Sequence, residues 1–221
     1  MSDTDSFIDE VTEEVRRDRL FALMRRYGWI AFIVVLLIVG GTAWNEWRKA
    51  QARETAQSFG DALMEGLSAG ASDARAAALS SVKAPNPGAA AIRDLLAAAE
   101  AMETTPQEAA SRLLALADSD GVEPVYRQIA ILKAVAMPGS GLSVEERRAR
   151  LEGLALSDGL ARLLAKEQLA LIDAETGDTE GALERLQAVA VDAQATPGLR
   201  RRASQVIVAL GGELPGSGQG E

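Results

Sequence analysis

The chain has 221 residues, a formal net charge of −9, and neither cysteine nor histidine. The absence of both residue types excludes a disulfide framework, the commonest zinc ligands and every Ser-His or Cys-His nucleophile pair. The acidic balance argues against a nucleic-acid surface, which requires a basic face.

No pattern in the sequence points to catalysis. The Gly-rich segments 138–141 and 211–212 lack the Gly-Lys-Ser/Thr of a phosphate-binding loop, and calcium-loop spacing is absent. An enzyme would have to work with carboxylates or lysine alone. We therefore predict a non-enzymatic protein with no catalytic residue, no metal site, no cofactor and no small-molecule substrate.

Residues 1–26 are predicted to form a short cytoplasmic arm. Ser6 followed by Asp9 favours the start of a helix. Five arginines precede the apolar stretch within 16–26, and three basic residues follow it within 48–53. This difference favours an N-terminus in the cytoplasm, so that the larger domain would lie in the periplasm of a bacterium.

Residues 27–45 are predicted to form a transmembrane helix. No charged residue lies between Arg26 and Glu46, and a helix over this stretch would be roughly 27–30 Å long, about the thickness of the hydrocarbon core. A cleaved signal peptide is the alternative, because Gly41-Thr-Ala43 fits a small-x-small cleavage site. The long acidic segment before the stretch favours a permanent anchor. The predicted membrane-anchoring residues are basic and aromatic side chains at its two ends: Arg25, Arg26, Tyr27, Trp29, Trp44 and Trp47.

The rest of the chain is predicted to be all-α. Residues 46–84 continue the helical pattern as a stalk and first helices, and 85–210 form a helical domain of Ala- and Leu-rich segments without strand patterning. The tail, 211–221, is too polar and Gly-rich to order itself. The charged runs 145–150 and 200–202 are expected to be solvated faces. Breaks are predicted at turn-forming clusters: 66–70, 85–88, 104–106, 118–121, 137–141, 157–159, 176–178 and 195–198.

Two windows of the helical domain share one spacing. Ala98, Ala110 and Leu114 keep the offsets of twelve and four that separate Ala170, Ala182 and Leu186. Residues 125–137 and 144–156 supply a further helix pair between them. The pattern resembles the tetratricopeptide repeat, although Lys166 and Asp173 stand where that repeat carries Trp and Tyr. It predicts an α-solenoid of short antiparallel helix pairs, with a generic helical bundle as the alternative.

The complete layout resembles the YfgM-type bacterial inner-membrane proteins. The resemblance rests on Arg25-Arg-Tyr-Gly-Trp29 entering the span, Trp44-Asn-Glu-Trp47 leaving it, and the segment 169–178. It implies a single-pass inner-membrane protein that is an ancillary subunit of the SecYEG translocon, with translocon subunits and a periplasmic chaperone as partners. A structural or assembly subunit of another inner-membrane complex, respiratory or cell-envelope, would have the same layout.

The first helices of the two repeat windows are expected to line a concave binding face. For the apolar members of this set, ordinary packing between helices is an equally good interpretation. The predicted partner-binding residues are Ile92, Leu95, Ala99, Met102, Glu103, Leu164, Glu167, Leu171, Ala174 and Glu175.

Overall fold

The computed structural model describes the backbone of residues 3–215 and the side chains of 24–30 and 32–215. The chain divides into two compact units, Met1–Gln57 and Ser58–Glu221. The side chains of the predicted cytoplasmic arm up to residue 23, and residues 216–221 of the predicted disordered tail, lie outside the described part.

Within residues 3–215 the chain forms nine α-helices and no β-strand, which confirms the all-α prediction. Each loop between the helices overlaps one of the turn clusters predicted from the sequence. The helices are α1 (Asp3–Leu67), α2 (Ser72–Ser81), α3 (Pro87–Ala101), α4 (Pro106–Ala117), α5 (Pro124–Ala136), α6 (Val144–Ala155), α7 (Gly159–Glu175), α8 (Thr179–Val191) and α9 (Pro197–Ala209).

Local chemistry explains where the helices begin. Proline occupies the first helical position of α3, α4, α5 and α9, where its missing N–H costs nothing. The side chains of Asn86 and Thr196 accept hydrogen bonds from the backbone N–H groups of Ala89 and Leu199. Ser143 and Glu146 form a complete capping box at the start of α6.

Small residues lie where paired helices cross. Ala98 of α3 and Ala110 of α4 are buried, as are Ala170 of α7 and Ala182 of α8, so each helix pair can approach closely. The larger residue four positions on differs between the windows, because Leu186 is fully buried whereas Leu114 is only partly buried.

The helices of the second unit stack in sequence order. From α2 onward each helix packs on the next, and in addition α3 contacts α5, and α5 contacts α7. The odd-numbered helices α3, α5 and α7 therefore form one layer, as in a solenoid of helix pairs. The end of α1 joins this unit through Phe59, Leu63 and Leu67, which pack in one cluster with Leu79 and Ala97.

The beginning of the tail is bonded to the preceding helices. The backbone N–H of Gly212 donates to the carbonyl oxygen of Ile207 at 2.9 Å, and Nε2 of Gln187 donates to the carbonyl oxygen of Glu213 at 3.2 Å. Disorder beyond residue 215 stays a prediction.

Candidate protein-interaction site

One side of the layer formed by α3, α5 and α7 carries apolar side chains that stay exposed or only partly buried. On each helix they recur at intervals of three, four or seven residues, so that they share one side of that helix. We call this surface the odd-helix face. It consists of Ile92, Leu95, Ala99 and Met102 on α3 and its C-cap, Val125, Ile129 and Leu132 on α5, and Leu160, Leu164 and Leu171 on α7.

The first groove of this face lies between α3 and α5 and has a volume of about 180 Å³. Three predicted partner-binding residues, Leu95, Ala99 and Met102, line it. Lys133 lies in the same lining, so a cationic group stands beside an otherwise apolar surface. A partner side chain that enters this groove would meet apolar side chains and one ammonium group.

The second groove is larger, at about 500 Å³, and its lining comes from α5, α7 and α9. The predicted residues Leu164, Glu167 and Leu171 contribute to it, together with Leu132 of α5. Glu167 is buried and accepts hydrogen bonds from Nε and Nη2 of Arg202 at 3.0 and 2.8 Å. This bond raises the pKa of the Arg202 guanidinium. The pair thus holds α9 against α7, and Glu167 is already engaged.

The other predicted partner-binding residues lie at the edge of these grooves or away from them. Ile92 and Glu103 are exposed, on α3 and in the turn that follows it. Ala174 is partly buried on α7. Glu175 accepts a 2.9 Å hydrogen bond from Nη1 of Arg147 on α6, and therefore faces the helix behind the odd-numbered layer.

The contribution of α5 to the odd-helix face was not predicted from the sequence. Val125, Ile129 and Leu132 follow one another at intervals of four and three, which is the signal of a shared helix face. The two windows used to register the binding face did not include α5, although the further helix pair was recognised. In the structure this helix lies between the two grooves.

The predicted membrane-anchoring residues lie on α1. Among the described residues, Met24–Leu67 is the one helical segment long and apolar enough to cross a membrane, by length and composition. Tyr27, Trp29, Trp44 and Trp47 are exposed, and the rings of Trp44 and Trp47 are 5.2 Å apart. The Arg26 guanidinium lies 5.8 Å from the centre of the Tyr27 ring, and Arg25 is exposed. Such a continuous exposed apolar surface is unfavourable in water and suits a lipid environment.

The residues described after position 24 contain no group of three or more carboxylates that could hold a metal ion.

Comparison with known proteins identifies the repeat. Residues 25–137, more than half of the chain, match the tetratricopeptide repeat-like domain family. No curated protein and no solved structure matches the chain significantly. Stacked helix pairs of this kind are characteristic of protein–protein interaction modules. Because this match covers more than half of the sequence, the chain belongs to the tetratricopeptide repeat-like domain family.

Proposed function

We propose that this protein is a membrane-anchored interaction module in which α1 is the anchor and the odd-helix face binds a segment of a partner protein. The observation that carries the proposal is the exposed apolar surface on three neighbouring helices of a repeat-like domain. Soluble surfaces rarely keep contiguous apolar patches unless these bind something.

The two grooves favour a polypeptide as the bound partner. They lie on either side of α5 and are separated by residues such as Leu132 and Lys133, so one segment could place successive side chains in both. Amphipathic helices and extended segments bind apolar grooves in this manner. The engaged Glu167–Arg202 pair would leave the apolar neighbours Leu164 and Leu171 as the main contacts of the second groove.

The proposed location is the bacterial inner membrane, with the N-terminus in the cytoplasm and the repeat-like domain in the periplasm. The excess of arginine before the apolar stretch supports this orientation. The resemblance in layout to the YfgM-type proteins supports a role as an ancillary subunit of the Sec translocon that links it to periplasmic chaperones. The competing function is a role as a structural or assembly subunit of another inner-membrane complex.

Photo-crosslinking in intact cells tests the proposal. A photoreactive phenylalanine replaces Ile129 or Leu171 on the odd-helix face, and the control replaces the exposed Val191 at the end of α8. We expect the first two positions, and not the control, to crosslink to translocon subunits or a periplasmic chaperone. Crosslinks to a different stoichiometric membrane complex would favour the competing function. Identical products from all three positions would reject the odd-helix face as the binding site.

A further inference from the structure

A third cleft lies between α4, α5 and α6, away from the odd-helix face. Its volume is about 340 Å³. Arg127 lines this cleft, whereas Ile129 belongs to the odd-helix face. Side chains two positions apart on an α-helix point in directions that differ by about 160°. The cleft is therefore a separate surface of the domain. Its lining consists of Ala117, Pro124, Arg127, Gln128, Ile131, Ala149, Arg150, Gly153, Leu154 and Ser157.

Arg127 has no acceptor for its guanidinium among the described residues. Its side chain is partly buried, and its Nε is buried without a hydrogen-bond partner. The Nε of Arg147 is also buried without a partner, but Nη1 of that guanidinium donates to Glu175. Arg201 also lacks a partner within the described part of the chain, but it is exposed. Every other arginine described after residue 58 forms an ion pair with a carboxylate or donates to a carbonyl oxygen: Arg75, Arg93, Arg112, Arg147, Arg148, Arg150, Arg162, Arg185, Arg200 and Arg202.

An unmatched guanidinium is unusual in an acidic chain, where carboxylates are abundant. Burying a donor without an acceptor costs free energy, so native structures seldom leave one unmatched. The fork of N–H groups on arginine fits the two oxygens of a carboxylate. Arg127 thus brings an unmatched positive charge to the lining of the cleft, where it can receive an oxyanion from outside the domain.

The surroundings of Arg127 favour a carboxylate. Arg150 lines the same cleft but is bonded to Asp118, with Nη2 donating to Oδ2 at 2.9 Å. The charges of Arg127, Arg150 and Asp118 therefore sum to +1. One carboxylate balances this charge, whereas a phosphate group, at about −2, would leave an excess negative charge. Pro124, Ile131 and Leu154 supply apolar walls beside this charge.

We propose that the cleft binds a carboxylate of a partner polypeptide, with Arg127 as the ligand and an adjacent apolar side chain of the partner on the walls. This inference rests on the proposed function, because it assumes that the domain binds proteins. It gives the domain a second contact surface, separate from the odd-helix face, that recognises a carboxylate.

Nuclear magnetic resonance of the full chain in detergent micelles, labelled with ¹⁵N at arginine, tests the cleft without a partner protein. The Nε–H signal of Arg127 is assigned as the one lost in Arg127→Lys. The probes are N-acetylleucine, which combines a carboxylate with an apolar side chain, its neutral amide, and inorganic phosphate. We expect N-acetylleucine to shift the Arg127 signal saturably, the amide to leave it in place, and phosphate to act only at higher concentration.

The variants supply the second comparison. Arg127→Lys keeps the charge but loses the fork, and we expect it to weaken binding of N-acetylleucine, followed on the Arg150 signal, by about tenfold or more. Arg201→Lys is the matched control and should bind as the unaltered chain does. Circular dichroism checks that both variants fold. The comparison of N-acetylleucine with its amide uses the unaltered chain and does not depend on the variants.

Three results would overturn the inference: no saturable shift with N-acetylleucine, equal shifts with the amide, or tighter binding of phosphate. None of them bears on the odd-helix face, whose crosslinks are measured separately. Conversely, a saturable shift with N-acetylleucine alone would support the cleft even if the crosslinks at Ile129 and Leu171 failed.

Discussion

Arg148 of α6 donates a 2.7 Å hydrogen bond from Nη1 to Oδ1 of Asp173 on α7. The second carboxylate oxygen of Asp173 accepts a 2.7 Å hydrogen bond from Nε of Arg185 on α8. Only 2% of Asp173 is exposed, so one buried carboxylate bridges three consecutive helices.

We expect Asp173→Ala to lower the free energy of unfolding by about 3 kcal/mol, because it leaves two guanidinium groups without their buried partner. The value lies at the lower end of the range for such losses, since the side chain of Arg185 is 41% exposed and can turn toward water. Urea unfolding of the full chain in detergent micelles, followed by circular dichroism, measures it. The control is Glu175→Ala, which removes an ion pair on the same helix and should cost at most about 1 kcal/mol. Equal losses would contradict the bridging role of Asp173.

The buried alanines of the repeat predict a second stability effect. Ala182→Leu adds three carbon atoms where α8 crosses α7, and overpacking of this kind costs about 1–3 kcal/mol. Ala188→Leu makes the same change at an exposed position of α8 and should alter stability by no more than about 0.5 kcal/mol. Thermal and urea unfolding of both variants test this pair. A well-tolerated leucine at position 182 would mean that the two helices are not in close contact.

The capping box of α6 predicts a dependence of stability on pH. Hydrogen bonds from the backbone N–H and hydroxyl of Ser143 hold the pKa of Glu146 below its ordinary value of 4.5. Because the folded state lowers this pKa, the stabilisation is present above the unfolded pKa and is lost as pH falls through the folded one. We expect Glu146→Gln to be less stable than the unaltered chain at pH 7, with a difference that shrinks below pH 4.5. Urea midpoints measured across this pH range give the result, and a difference that grows in acid would contradict it.

Charge on the odd-helix face should weaken partner binding without unfolding the domain. Ile129 and Leu171 are 36% and 37% exposed, so aspartate at either position can reach water in the free protein. In the complex the same carboxylate would be desolvated, and we expect each variant to bind at least about tenfold more weakly. Quantitative co-purification in mild detergent measures the loss, with Val191→Asp on α8 as the control. Binding that survives both substitutions would move the site elsewhere.

The anchoring role of α1 predicts sensitivity to charge within the apolar stretch. Arginine near the centre of a spanning helix costs about 2.5–3.5 kcal/mol, and two such residues exceed the favourable insertion energy of roughly −3 to −5 kcal/mol estimated for residues 30–39. We therefore expect Ile33→Arg combined with Leu37→Arg to release the protein from membranes on alkaline extraction. The same two charges at Ala50 and Glu54, outside the stretch, should leave it membrane-bound. Retention of the first variant would show that α1 is not the anchor.

Features that depend on neighbouring residues in the chain could be predicted from the sequence. Pro87, Pro106 and Pro124 each stand at the first position of a helix. Proline has no backbone N–H, and only in the first turn of a helix does that group have no partner within the helix. The apolar character of the uncharged stretch of α1 follows from its composition alone and does not depend on the rest of the chain. The repeated alanines, Ala98 and Ala170, mark helix crossings because only a small side chain permits close approach.

The charged runs show where such prediction ends. Residues 145–150 were expected to be a solvated face, and this was wrong for the arginines: Arg147 and Arg148 bind carboxylates of α7, and Arg150 binds Asp118 at the end of α4. Within 200–202, Arg202 binds Glu167 rather than solvent alone. Each partner lies 25 to 35 residues away in the chain, and pairing at that distance depends on how the helices stack.

The sequence by itself determined the helices, their ends, the apolar stretch of α1 and the repeat, since all of these follow from local propensity and periodicity. Only the tertiary structure decided which apolar side chains keep an exposed part, because Leu164 and Leu186 are equally apolar in sequence yet Leu186 is fully buried, while Leu164 is partly buried and lines a groove. It likewise decided that Arg127 faces a cleft without a carboxylate. The neighbouring helices cover some sides of each helix, and the side that they leave exposed is the one available to bind a partner.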